Sequence, residues 1–95
     1  MATDFTLMLA LDPTSWRADD KAGWAYTLIS AVDAAAPHLF VVEGYEMRDT
    51  VIFVRLFSEL PLSRLRKLMR EDEEIMRLRA RLADLGARAE FELGD

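Results

Sequence analysis

Cysteine is absent from this chain, which removes disulfides, thiol nucleophiles and thiolate metal sites at once. Histidine occurs once, at His38. A single imidazole cannot supply a His-based metal site, and nothing around it reads as a Ser/His/Asp set. Its place after Pro37, at an expected helix–strand junction, is that of an ordinary loop residue. The four glycines, Gly23, Gly44, Gly86 and Gly94, lie far apart, so there is no glycine-rich loop to cradle phosphate. No apolar run approaches the roughly 20 residues that a membrane-spanning helix needs. The opening stretch MATDFTLMLALDPTSW is broken by Thr6 and carries Asp4 where a secretion signal places Lys or Arg. These absences lead to the expectation of a cytoplasmic protein with no membrane segment, no metal and no cofactor.

What is present belongs to a folded chain. Of 95 residues, 52% are hydrophobic and 31% charged, a composition that can bury a core. The length suits a single α+β domain spanning 1–95. The net charge is −5, unevenly spread. Eight of the 12 Lys and Arg residues fall within 63–88. An acidic chain with one mixed-charge helix is a poor partner for nucleic acid.

Periodicity gives the elements. In DFTLMLAL (4–11), Phe5, Leu7, Leu9 and Leu11 alternate with Thr6, Met8 and Ala10, which is a strand with one firmly buried face. Asp12-Pro13 ends it. A helix follows over about 19–35, favoured at its start by Asp19 and Asp20. Ala22, Ala25, Ile29, Val32 and Ala36 form one apolar stripe, beside a second of Trp24, Leu28, Ala31 and Ala35. Pro37 stops it. LFVV (39–42) reads as a short strand. EGYEMRD (43–49) reads as a turn region, with Gly44 either the turn or a bulge in a longer strand. TVIFVRLF (50–57) alternates again and closes an antiparallel hairpin.

The stretch 61–86 carries the strongest helical pattern, with Leu62, Leu65, Leu68, Ile75, Leu78, Leu82 and Leu85 at spacings of three and four. Asp72 interrupts that stripe. A continuous helix here would run about 39 Å, against about 26 Å for an eight-residue strand, so it either overhangs the sheet or breaks near 70–74. The pairs Lys67–Glu71, Arg70–Glu74 and Glu73–Arg77 favour one long helix, bent if need be. Gly86 suits its C-terminal cap, and ARAEFEL (87–93) alternates as a last strand. The helix is also rich enough in Arg, Leu and Glu for a coiled-coil seam, but packing on its own sheet is the more economical expectation.

The order β-α-β-β-α-β, with right-handed crossovers, predicts a ferredoxin-like fold. It has a four-stranded antiparallel sheet of order 4-1-3-2 and two helices on one face, the second long. The fold hosts many activities and implies none.

The other sheet face becomes the candidate site. It is expected to carry Met8, Val51, Phe53, Arg55, Phe57, Glu90 and Glu92, with Ala10 and either Phe40 or Val41 added. So much apolar surface is unusual on a free monomer and suits a contact surface. Phe53 and Phe57 sit where RNA-binding sheets expose aromatics, but TVIFVRLFS lacks that signature and Glu90 and Glu92 repel phosphate. The carboxylates Glu90/Glu92, Asp12 and Asp19/Asp20 have plain roles in edge protection, turns and helix-end electrostatics. Trp16, Trp24 and Tyr26 are read as core in preference to a pocket.

The expected function is a non-enzymatic protein-interaction module: a homodimer, or a regulator or inhibitor subunit of a larger protein, which the acidic surface would suit if that partner is basic. The alternative is a small enzyme or small-molecule-binding protein of the dimeric α+β-barrel type. Tight aliphatic closure of the open face favours the first, and a cavity lined by Phe53, Phe57, Arg55, Glu90 and Glu92 favours the second.

Overall fold

A computed structural model describes residues 2–12, 21–35 and 39–93. His38, Pro13, Trp16, Asp19, Asp20, Ala36 and Pro37 lie outside the described residues. Four strands, β1 (Thr3–Leu11), β2 (Val41–Arg48), β3 (Val51–Ser58) and β4 (Ala87–Glu92), form one antiparallel sheet of order β2-β3-β1-β4. Read from its other edge, this is the order 4-1-3-2 expected from the sequence. The described helices are α1 (Lys21–Ala35), α2 (Leu62–Glu71) and α3 (Glu73–Asp84).

The strands form where alternation can divide side chains between two environments. Leu7 and Leu9 pair with Val54 and Ile52 on one side and with Phe91 and Ala89 on the other. Leu7, Leu9, Ile52 and Val54 are wholly buried. Leu28 and Val32 of α1, Leu65 and Met69 of α2, and Ile75, Leu78 and Leu82 of α3 join them in one apolar cluster. Burying each such side chain is worth about 1.5–3 kcal/mol. Phe5, Phe40 and Phe91 meet edge-on or tilted within this cluster, with ring centroids 6.0–6.3 Å apart. Phe40 therefore belongs to the core, and of the two it is Val41 that looks outward.

The long second helix expected from the sequence is two helices. Asp72 leaves the helical region (φ −71°, ψ 129°) and serves both as the end of α2 and as the cap of α3. Its N–H still donates to Leu68 O at 2.8 Å. Its carboxylate accepts from Glu74 N at 2.8 Å and Ile75 N at 3.3 Å. Glu73 and Glu74 then occupy the first turn of α3, where negative charge meets the positive end of the helix dipole. The residue that interrupts the apolar stripe is thus the residue that restarts the helix. Carrying the stripe unbroken through position 72 would press a carboxylate into the core, at high cost. Capping leaves it only half-buried.

The caps elsewhere are simpler. Pro61 precedes α2 without a side-chain cap. Buried Ser58 accepts from Leu60 N through its Oγ at 3.1 Å. Gly86 follows α3 at φ 88°, a conformation that costs glycine nothing, and its N–H donates to Ala83 O. Trp24 Nε1 donates to Leu85 O at 2.8 Å and ties α1 to the end of α3.

Strand β2 is longer than LFVV and begins later. It runs through Gly44, where the register with β3 shifts between Val42 and Gly44. Gly44 is therefore a bulge, and the turn is Asp49-Thr50, with Asp49 at φ 52°. Asp tolerates that left-handed position better than most residues.

Candidate interaction surface on the open sheet face

Directly opposed residues in antiparallel strands share a face, so the register orders the side chains on the side away from the core into rows across the sheet. Glu46, Phe53, Met8 and Glu90 make one row, here the acidic row. The next, the basic row, is Arg48, Val51, Ala10 and Arg88. On the other flank of the acidic row lie Gly44, Arg55, Thr6 and Glu92, and beyond them Val41, Phe57 and Asp4.

All seven residues singled out from the sequence stand on this face. Met8, Val51, Phe53 and Phe57 are half-buried; Arg55, Glu90 and Glu92 carry the charge around them. The phenylalanines lose part of their surface to neighbouring side chains, with none of the described helices above them. Arg48 extends over the Phe53 ring, its guanidinium carbon 5.5 Å from the centroid, and donates to Glu46 Oε2 at 3.0 Å. That hydrogen bond and the charge of Glu46 raise the pKa of Arg48 above its ordinary value. Arg55 lies over Gly44 so closely that a Cβ there would collide with its guanidinium. The missing side chain at the bulge is the space into which Arg55 folds.

The face thus has an apolar centre on β3 and β1 and a charged rim on the two edge strands. Sequence reasoning missed Glu46, Arg48 and Arg88. The alternation of β2 is hidden by the bulge, which changes which residues look outward after Val42. Counting outward from Asp49 would have recovered Arg48 and Glu46.

The other candidates do not assemble into a site. Trp24 is half-buried against the core and Tyr26 is 70% exposed; two residues apart on a helix, they face different ways. Glu90 and Glu92 point outward from an edge strand. Among the described residues, no group of three or more His, Asp or Glu could hold a metal ion, and no helix is long and apolar enough to cross a membrane. A groove of about 280 Å³ between α1 and α3, lined by Ala31, Ala35, Glu74 and Arg81, is shallow.

No known family model, curated protein sequence or solved structure matches this chain.

Proposed function

We propose that this chain is a non-enzymatic protein-interaction module, built on a ferredoxin-like β-α-β-β-α-β plan, whose contact surface is the open sheet face. The observation that carries the reading is the apolar centre of Met8, Val51, Phe53 and Phe57, which lies on the side of the sheet opposite the helix core. An apolar centre inside a charged rim is the layout of protein interfaces. A ligand-binding barrel would instead need polar groups converging on a central cavity; here Glu46, Arg48, Arg88 and Glu90 stand at the edges.

A photo-crosslinking amino acid placed at position 53 tests the reading in the cells that make the protein. The expected result is a discrete protein adduct from position 53 and none from position 26, which lies exposed on α1. Lack of an adduct at 53, or an adduct only at 26, would overturn it. The mass of the adduct reports the partner.

A further inference from the structure

We propose that the partner on the open face is a second copy of this chain, docked about a two-fold axis that crosses the strands between the acidic row and the basic row. This rests on the interaction reading above and gives it an occupant and a register, one that sets Met8, Val51 and Phe53 against the copy's sheet and leaves Phe57, two rows further along β3, outside the row-on-row overlap.

Two sheets that pack face to face in aligned fashion keep their strands within about 30° of each other and lie about 10 Å apart. A two-fold between them then runs either across the strands or along them. The rim charges separate these choices. With the axis across the strands and between the two rows, the acidic row of one copy meets the basic row of the other. Glu46 then faces Arg48 and Glu90 faces Arg88, and symmetry makes each pair twice. With the axis along the strands, β2 meets β4 and each row meets itself. Glu46 would face Glu90 and Arg48 would face Arg88, so the acidic row and the basic row would each meet in repulsion, against one attraction, of Glu92 to the Arg55 that folds over Gly44.

Shape selects the same axis. The acidic row carries the large Phe53 and Met8 at its centre, whereas the basic row carries the smaller Val51 and Ala10. Docking row on row sets large against small. Arg55, folded over Gly44 toward the edge strand, is drawn away from the centre of the face. Arg48 already rests on Phe53 and Glu46 of its own chain. The Arg48 and Glu46 side chains are both more than half exposed, so exchanging its own Glu46 for the copy's gives up little.

The experiment is sedimentation of four species, with circular dichroism as the fold control. These are the wild type, E46R/E90R, R48E/R88E, and the full exchange E46R/R48E/R88E/E90R. The wild type is expected to dimerise. Each double variant is expected to weaken the dimer by about tenfold or more. The full exchange restores it, because its rows are swapped together. The full-exchange chain should not pair with the wild type, since acidic rows would then face acidic rows. Preferential pairing of those two chains would overturn the register in favour of an axis along the strands, while leaving the interaction reading intact. A wild type that stays monomeric at several hundred micromolar would overturn the second copy as partner. The crosslink from position 53 would still decide the interaction reading by itself.

Discussion

Met8 and Leu9 are neighbours on one central strand and lead different lives. Leu9 is wholly buried between Ile52 and Ala89, beneath the helices. Met8 is half-buried between Phe53 and Glu90 on the other side of the same backbone. Their hydrogen-bonded frame and sheet position are shared, and both are large and apolar. The difference is what lies above them. The helix side is closed by residues contributed from all three helices, and its chemistry is almost purely aliphatic and aromatic. The open side mixes carbon at its centre with charge at its edges. A face built to be covered by its own chain has no need of a charged rim, and the helix side has none along β1 and β3.

The comparison can be broken most severely by a charge. Leu9→Asp should abolish folding, because it buries a carboxylate with no partner. Met8→Asp, one residue away, should leave a folded chain by circular dichroism. If both unfold, the two faces do not differ as described. Next in size, Leu7→Ala should cost about 2–5 kcal/mol in a denaturant melt, from lost burial and the cavity left behind. A cost under about 1 kcal/mol would mean the helices do not close over it. Asp72→Ala should cost about 0.5–2 kcal/mol, since it removes the acceptor for two N–H groups at the start of α3. Asp72→Asn should recover most of that loss, and an equal loss in both variants would point away from capping. The smallest effect is expected on the open side, where Thr6→Ala should cost under about 1 kcal/mol.

Much of this arrangement is legible in the order of residues alone. The alternation of Phe5, Leu7, Leu9 and Leu11, and of Ile52, Val54 and Leu56, sets both the buried face and its opposite. The seven surface residues follow from that parity. Parity fails where the backbone leaves a regular pleat. At Gly44 the bulge shifts the phase of β2, and with it Glu46 and Arg48 drop out of view, although they form the β2 side of the charged rim. The helix break near 70–74 is one of two alternatives the sequence leaves, and the i,i+4 pairs favour the other. Glu73–Arg77 is a real pair at 3.4 Å, but such exposed pairs contribute only about a few tenths of a kcal/mol. A cap with two N–H groups on one carboxylate outweighs them. Asp72 carried both signals, as an interruption and as a good cap residue, and the second was the stronger. The buried seam of α1 also falls between the two stripes read from its sequence, on Ala25, Leu28, Ala31 and Val32, because so apolar a helix leaves its orientation to its neighbours.

The position of β1 inside the sheet has a consequence for how the chain comes to be folded. Its two neighbours are β3 and β4, so Leu11 must find Ala87 and Thr6 must find Glu92, across nearly the whole sequence. Loop closure on that scale precedes any reward from pairing, and topologies of this kind fold more slowly than helical bundles of equal size. On a ribosome β1 emerges first of the four strands and β4 last. Until Ala87–Glu92 has been made, the β4 side of β1 is an open edge bearing Leu7 and Leu9, a template for pairing with other chains. The last strand therefore acts as a seal: its arrival converts the stickiest edge of the nascent chain into the interior of a sheet and leaves Glu90 and Glu92 on the new border.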